Sequence, residues 1–239
     1  MTRDSEVVPA RPAATLILVR SAESQADELQ LLMLQRSTDM RFASGTWVFP
    51  GGAIDPEDYD GAVEPLSPCD NPVHSAVIAA AIRETVEECG LDVRQRTLAY
   101  FAHWTTPELA PIRFATWYLI AEAPAGQLVK VDGFEIVDHR WLTAREALAE
   151  YRQHRFPLTP PTFITLCELE GFATLAELVQ FTSQRPPPVC LPKRIKRGEE
   201  LVLLYPNDSG YESGSLDLPG RRHRVIMEAG QPYRLIDCP

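Results

Sequence analysis

Three glutamates within five residues, Glu84, Glu87 and Glu88, form the group of side chains in this sequence best suited to chemistry. On an α-helix, positions i, i+3 and i+4 lie on one face, so the three carboxylates would project together. Like charges at this spacing destabilise a helix by about 0.2–0.5 kcal/mol per pair. Converging oxygen ligands suit a hard cation such as Mg²⁺, which can neutralise phosphate oxygens and activate a water molecule. Taken alone, the glutamates are equally compatible with a metal site and with a solvated helix face.

A helix from about residue 72 to residue 89 would carry these glutamates. Asn71 is suited to cap it, Pro72 to occupy its first turn, and Gly90 to end it. The apolar residues that we expect to face a core from the opposite side of this helix are Ile78, Ile82 and Val86. Residues 53–72 are rich in Asp, Pro and Gly and have no apolar period, which predicts a long loop before the helix.

The segment Arg83-Glu84-Thr85-Val86-Glu87-Glu88-Cys89-Gly90-Leu91 resembles the second half of the Nudix box, G-x5-E-x7-R-E-U-x-E-E-x-G-U, where U is a bulky apolar residue. Phe49-Pro50-Gly51-Gly52 resembles the strand end and glycine pair that open the box. The sequence departs from the pattern in three ways. Thr85 replaces the first U, and the 31 positions from Gly52 to Arg83 exceed the pattern's 14 by an insertion of 17. Counting back from Arg83, the place of the first glutamate holds Ser75.

The Nudix resemblance implies an α/β protein, an α/β/α sandwich with a mixed sheet, that hydrolyses a pyrophosphate linkage with a divalent metal. It implies that Glu84, Glu87 and Glu88, with a main-chain carbonyl near Gly51, bind Mg²⁺ or Mn²⁺. Glu84 would then assist deprotonation of the attacking water, and Arg83 would hold the carboxylates by a salt bridge.

Nudix enzymes often draw a further carboxylate from a loop downstream of the box. Glu108, on a proline-bounded loop, is our candidate for that catalytic role, and Glu135 is an alternative. His103 lies in a segment that resembles the insertion-bearing Nudix group. It is either a strand histidine whose hydrogen bonds are satisfied or a residue with a ligand or catalytic role.

A second motif lies upstream, from Leu32 to Gly52. It resembles the signature of coenzyme A-cleaving Nudix enzymes, L-L-T-x-R-S-x3-R-x3-G-x3-F-P-G-G, with Leu34 in place of the threonine. The substrate-binding candidates are Arg36, Arg41, Phe49, Gly52 and, further downstream, Arg113. Arginine has a planar fork that suits phosphate oxygens. Each arginine could equally be a surface ion-pair partner, and Trp104 and Trp117 could stack on a base or pack in the core.

The substrate implied by this second motif is coenzyme A or acyl-coenzyme A, cleaved to 3′,5′-ADP and (acyl-)phosphopantetheine. Two alternatives stay open. One is a pyrophosphatase of another nucleoside diphosphate derivative, such as ADP-ribose or NADH. The other is a Nudix-fold binding module that has lost catalysis.

Strand and helix patterns alternate over residues 13–183, which predicts mixed α/β layers in one Nudix domain. The strands expected there are Thr15–Arg20, Leu29–Gln35, Gly45–Pro50, Leu98–Trp104, Phe114–Ala121 and Glu135–Trp141. The further helices are Ala144–Tyr151, Pro160–Glu170 and Thr174–Ser183. Residues 1–12 predict a flexible arm, and the Pro-rich residues 184–188 predict a linker.

Residues 189–239 predict a small β-rich extension with strands at Glu200–Tyr205 and Arg224–Glu228. Its basic run Lys193–Arg197 is a solvated surface or a phosphate contact. The extension adds edge strands or provides a homodimer contact, and the sequence does not decide between these.

The composition of the 239 residues limits the classes of function. A formal charge of −10 argues against general nucleic-acid binding, and no apolar run approaches the ~20 residues that a membrane span needs. Five scattered cysteines without a C-x-x-C pair predict reduced thiols in a cytoplasmic protein. Residues 51–91 contain nine acidic residues and one basic residue, so this window carries −8 of the net charge. A small polyanionic substrate would therefore need a divalent cation there.

Overall fold

A mixed β-sheet with helices on both faces forms the main body of the computed structural model, which describes residues 7–21, 28–59 and 75–238. The first four strands are β1 (Arg11–Ser21), β2 (Leu29–Arg36), β3 (Trp47–Val48) and β4 (Gly51–Ala53). The other four are β5 (Ala99–Thr105), β6 (Phe114–Glu122), β7 (Ile136–Thr143) and β8 (Val189–Cys190). The order across the sheet is β3-β2-β1-β6-β5-β8, with β4 paired to β1 and β7 paired to β2.

The central strand β1 is buried on both faces, which fits its nearly continuous apolar sequence. It runs parallel to β6 and antiparallel to both β2 and β4. Leu16 and Leu18 belong to the core on one face of the sheet, whereas Ile17 and Val19 belong to the core on the other. This alternation gives the sheet two separate apolar layers.

Helix α1 (Ser75–Cys89) packs against the first of these faces. The expectation that Ile78, Ile82 and Val86 face this core holds only for Ile82, which is partly buried and packs against it. Val86 is 44% exposed, and Ile78 is partly buried without belonging to this core. The buried positions of the helix are Ala76, Val77, Ala80, Ala81, Thr85, Glu88 and Cys89. Small alanines let the helix approach the sheet closely. Thr85 can be buried because its hydroxyl donates to the carbonyl of Ala81 at 2.7 Å. The expected cap at Asn71 and Pro72 lies outside the described residues.

Three helices cover the opposite face: α2 (Ala144–Arg152), α3 (Pro160–Leu169) and α4 (Leu175–Gln184). Thr143 and Thr174 cap α2 and α4, each in a reciprocal pair with the glutamate three residues later. The expected sandwich of helices around a mixed sheet is therefore confirmed, and its three later helices fall where the patterns indicated.

A separate antiparallel sheet follows near the C-terminus. Its strands are β9 (Lys193–Arg197), β10 (Glu200–Leu204), β11 (Arg222–Met227) and β12 (Arg234–Cys238). The basic run is thus strand β9, which the sequence did not indicate, and β12 was also missed. A buried ion pair between Arg224 and Asp208, at 2.6 Å, anchors the loop between β10 and β11.

The division of the chain at residues 184–188 stays a prediction. Strand β8, which follows the Pro-rich run, pairs with β5 in the first sheet. Leu203, Tyr205 and Val225 of the C-terminal segment pack into the same core as α2, α3 and α4. Among the helices of the described part of the chain, not one combines the length and apolar character needed to cross a membrane.

His103 on β5 is a buried histidine, and neither ring nitrogen has a hydrogen-bond partner among the described residues. Its ring packs against Trp117, with centroids 4.5 Å apart at 76°. Burial lowers the pKa of His103 to about 4, so the folded protein keeps the ring neutral.

We expect this histidine to weaken the fold as the pH falls. Above pH ~6.5 the ring is neutral in both the folded and the unfolded state. Between pH ~6.5 and ~4 the histidine binds a proton in the unfolded chain but stays neutral in the folded chain. The unfolding free energy should fall by roughly 3 kcal/mol between pH ~6.5 and ~4 from this residue alone. Urea titrations at pH 7 and pH 4.5 should show a smaller decrease for His103→Phe than for the wild type. An equal decrease would contradict the assignment.

Candidate active site

The glycine pair of β4 lies directly against the glutamates of α1, because β4 pairs with the start of β1 and α1 covers that part of the sheet. The Gly51 amide donates to Glu88 Oε2 at 2.8 Å. A Cβ atom on Gly51 would lie 2.3 Å from the carbonyl oxygen of Ala14, and one on Gly52 would lie 2.4 Å from Glu84 Oε1. Gly51 is therefore required by the backbone of β1, whereas at Gly52 a larger residue would displace the Glu84 carboxylate.

The two glycines should respond differently to alanine. Gly52→Ala meets only the end of the flexible Glu84 side chain, so we expect a folded protein with a displaced carboxylate. Gly51→Ala meets the backbone of β1 and should impair folding itself. Circular dichroism and thermal melting of Gly52→Ala should be near native. Its turnover, measured in a kinetic assay, should be reduced by about 10²-fold. Native activity in Gly52→Ala would show that the position of Glu84 is unimportant.

Arg83 connects the acidic groups around the glycine pair. Its Nε and Nη2 atoms bind the two carboxylate oxygens of Asp58 at 3.0 and 2.8 Å. Its Nη1 atom donates to Glu84 at 2.8 Å and to Glu87 at 3.2 Å. Nη2 also reaches the carbonyl of Ala53 at 2.9 Å. These contacts are the geometry that the bracing role needs, and the role itself stays a prediction.

Asp58 is a site residue that the sequence analysis missed. Counting back from Arg83 led to Ser75, but Ser75 is an exposed residue at the start of α1. Counting forward six positions from Gly52, the spacing of the pattern, leads to Asp58. Asp58 is 8% exposed, and the insertion follows it. Burial alone would raise the pKa of Asp58, but the hydrogen bonds from Arg83 and from the Asp55 amide lower it below its usual value.

Glu84 and Glu88 are acidic groups in a site that is short of positive charge. Burial raises the pKa of Glu88 to about 8, and the neighbouring carboxylate of Glu84 adds to the increase. Burial also raises the pKa of Glu84, against the effect of Arg83. Among the described residues, the cation paired with Glu88 is Arg36, whose Nη1 atom lies 4.0 Å from Oε1. A divalent cation at this point would supply the missing charge.

Arg36 ends strand β2 and faces two carboxylates at the limit of ion-pair distance. Its Nη2 atom lies 3.8 Å from Glu135, and its buried Nε atom has no partner within the described ranges. The carboxylate of Glu135 also contributes to the raised pKa of Glu88. Of the two downstream glutamates considered, the structure thus brings Glu135 to the site.

Glu108 lies on the exposed loop after β5 and is directed elsewhere. Burial raises the pKa of Tyr211, in the loop after β10, and the nearby carboxylates of Glu212 and Glu108 add to this increase. The side chain of Glu108 makes no hydrogen bond or ion pair with any residue of the described ranges. Its predicted catalytic role is not supported by this placement.

Two of the predicted substrate-binding residues, Phe49 and Arg113, are buried and make contacts within the protein instead. Phe49 is 3% exposed and packs edge-on against Tyr118, on the sheet face opposite α1, so it cannot touch a substrate at the glycine pair. Arg113 is buried and donates to the carbonyls of Thr106 and Val8, at 3.1 and 2.6 Å. Its guanidinium pins the loop after β5 to the segment before β1.

The remaining residues that were predicted to contact the substrate differ in their exposure. Arg41 is exposed, and within the described residues it makes no ion pair, so its guanidinium is available. Trp104 and Trp117 are buried in the core, as in the packing interpretation of these residues. Gly52 contributes its backbone, since Glu84 fills the space in front of it.

The carboxylates fit a hard divalent cation in donor type and in charge, but they are not gathered around one point. Arg83 engages Glu84 and Glu87, and the Gly51 amide engages Glu88. Accordingly, the described residues contain no ready-made group of three metal-binding side chains. Arg83 donates to only one carboxylate oxygen of Glu84 and one of Glu87, so each keeps a second oxygen that could face a cation. The contacts of Arg83 with Asp58 hold the guanidinium in place.

Comparison with known proteins shows the family of the chain. Residues 9–161 match the family model of the NUDIX domain. The chain is 23% identical to acyl-coenzyme A diphosphatase NUDT19 of Xenopus laevis, over 85% of this chain and 77% of that protein. It is 25% identical to putative nudix hydrolase 7 of Caenorhabditis elegans, over 93% of this chain and 83% of that protein.

A solved structure shows the same fold. The NUDIX hydrolase from Alicyclobacillus acidocaldarius superposes with a TM-score of 0.61 at 22% identity, over 72% of this chain and 96% of that chain. The family model covers well over half of the sequence, including the glycine pair and the whole of α1. The chain therefore belongs to the NUDIX family.

Proposed function

We propose that this Nudix pyrophosphohydrolase cleaves the pyrophosphate bond of coenzyme A or acyl-coenzyme A, giving 3′,5′-ADP and (acyl-)phosphopantetheine. The observation that carries the proposal is Arg36. This residue belongs to the motif shared with coenzyme A-cleaving relatives, and its guanidinium lies 4.0 Å from Glu88 and 3.8 Å from Glu135. The similarity to an acyl-coenzyme A diphosphatase supports the same substrate class.

Mg²⁺ or Mn²⁺ held by Glu84, Glu87, Glu88 and a carbonyl near Gly51 would supply charge neutralisation of the pyrophosphate and an activated water. The chain itself fixes the geometry around that position. The Gly51 amide orients Glu88, and Arg83, anchored on Asp58, orients Glu84. Glu84 or Glu135 would accept the proton of the attacking water, and Arg83 would keep Glu84 and Glu87 correctly placed.

Coenzyme A offers two phosphate groups for cations outside the metal position. The Nη atoms of Arg36 make only long ion-pair contacts with the described residues, so a phosphate oxygen can replace a carboxylate as their partner. Arg41 lies exposed in the loop that follows Arg36. We assign Arg36 to the pyrophosphate and Arg41 to the 3′-phosphate, because the planar guanidinium binds phosphate oxygens in pairs.

Turnover of a substrate panel tests this proposal. Purified protein with Mg²⁺ or Mn²⁺ would be given coenzyme A, an acyl-coenzyme A, ADP-ribose and NADH, with the products separated by chromatography. We expect the highest kcat/KM for the coenzyme A compounds and no turnover after chelation of the metal. Better cleavage of ADP-ribose or NADH would overturn the substrate assignment, and binding without any cleavage would show a non-catalytic module.

Arg41→Ala gives a second, residue-level test of the same proposal. If Arg41 binds the 3′-phosphate, this variant should raise KM for coenzyme A but not for 3′-dephospho-coenzyme A. An equal change for both compounds, or none for either, would remove the role assigned to Arg41.

A further inference from the structure

Phe134 is a solvent-exposed aromatic residue in the segment between β6 and β7. It is 85% exposed, the highest value for a large apolar residue in the described part of the chain. Exposed apolar residues are common on protein surfaces, so exposure alone indicates nothing. What distinguishes Phe134 is its rigid attachment and its position beside the candidate active site.

The main chain around Phe134 is held by one carboxylate. The amides of Phe134 and Glu135 donate to Asp132 Oδ1 at 2.5 and 2.7 Å, and the amide of Ile136 donates to Oδ2 at 3.1 Å. A bond from the Gly133 amide to the Ile136 carbonyl, at 3.0 Å, closes the turn. Four hydrogen bonds within five residues hold the backbone that carries the exposed ring.

This turn is attached directly to Arg36 and thus to the carboxylate site. Ile136 pairs with Arg36 in the ladder between β2 and β7, and the Ser37 amide donates to the Glu135 carbonyl at 2.7 Å. Phe134 lies two residues before Ile136, in the turn that leads into β7. The side chain between them, Glu135, points to Arg36.

We propose that Phe134 is the stacking platform for the nucleobase of the substrate. Stacking needs an accessible aromatic face at a fixed distance from the phosphate-binding groups, and it needs no hydrogen bonds to the base. Phe42, on the loop after Arg36, is also exposed, but its ring packs against Phe114 with centroids 5.3 Å apart. The identification of the base as adenine rests on the proposed function.

Binding of substrate fragments tests this platform. The probes are 3′,5′-ADP and ADP-ribose, which contain the base, and 4′-phosphopantetheine, which does not. By calorimetry we expect Phe134→Ser to weaken both adenine compounds about tenfold. The same variant should leave phosphopantetheine unchanged, and Phe134→Trp should retain wild-type affinity. Leu128→Ser is the matched control, because Leu128 is 79% exposed in the same connection between β6 and β7.

A spectroscopic readout makes the test direct. The added indole of Phe134→Trp should be quenched by 3′,5′-ADP, whereas that of Leu128→Trp should not. Three results would overturn the platform: no loss of adenine affinity in Phe134→Ser, an equal loss for phosphopantetheine, or loss of self-association as its main effect. Failure of coenzyme A hydrolysis would overturn the proposed function instead, since the loss of ADP-ribose affinity would still be measured.

Discussion

Replacing Glu88 with glutamine is expected to lower kcat by about 10³-fold while the fold remains intact. Glutamine has the shape of glutamate, and its amide oxygen can still accept the Gly51 amide hydrogen. What it lacks is the negative charge that a cation would bind. Because Glu88 is a 5% exposed acid whose burial raises its pKa to about 8, neutralising it should not lower the melting temperature.

The measurement is kcat at saturating Mg²⁺ together with a melting curve for each protein. Glu122→Gln is the control, since Glu122 is exposed and its one ion pair within the described ranges is with Arg96, at 3.3 Å on the surface. It should leave both quantities unchanged. Full activity in Glu88→Gln would contradict the enzyme mechanism proposed for this site, and loss of folding would show that the charge itself is structural.

Replacing Arg83 with methionine should lower the unfolding free energy by about 3 kcal/mol, because it leaves a buried acid without its partner. Asp58 is 8% exposed and takes two hydrogen bonds from the Arg83 guanidinium. The same change frees Glu84 and Glu87 from a shared donor, so turnover should also decrease. Urea unfolding and steady-state kinetics measure the two effects separately.

A double-mutant cycle with Asp58→Asn identifies the source of the lost stability. Asparagine keeps an acceptor for the Asp55 amide but removes the charge that Arg83 neutralises. The double variant should therefore lose clearly less than the sum of the two single variants. Arg94→Met is the control, since the Arg94–Asp92 pair lies in water and should not affect unfolding. Strict additivity in the cycle would show that Arg83 and Asp58 act independently.

Much of the fold could be predicted from the sequence because many helices and strands are specified by residues within them or next to them. The apolar runs of β1 and β2, and the threonine caps of α2 and α4, each specify their own element. The buried face of α1 was not available, because periodicity alone favoured Val86. Thr85 occupies the buried position instead, because its hydroxyl group is satisfied by a hydrogen bond to the carbonyl of its own helix. The periodicity of apolar residues cannot predict such a bond. Strand β9 could not be predicted because four of the five residues of Lys193–Arg197 are basic and show no strand-like apolar pattern. Its pairing with β10 makes this segment a strand.

The site was predictable where the spacing in the chain is short. Arg83 and the glutamates lie within one and a half turns of a helix, so their mutual geometry follows from the helix itself. Asp58 and Glu135 come from segments far away in sequence, and their approach depends on the pairing of β1 with β4 and of β2 with β7. Phe49 matched a motif in type and spacing, but the short connection between β3 and β4 places it in the core on the other face of the sheet.

The clamp between Asp58 and Arg83 also explains how this box tolerates extra length. Both ends of the inserted stretch are fixed, one by the turn at Asp58 and the other by α1. Lengthening the connection from the pattern's 8 positions to 25 adds a closure cost of only about 1 kcal/mol, even if the added residues make no contacts. That is less than the clamp is expected to contribute. The junction is therefore a suitable place to shorten, lengthen or exchange a segment without moving the catalytic groups.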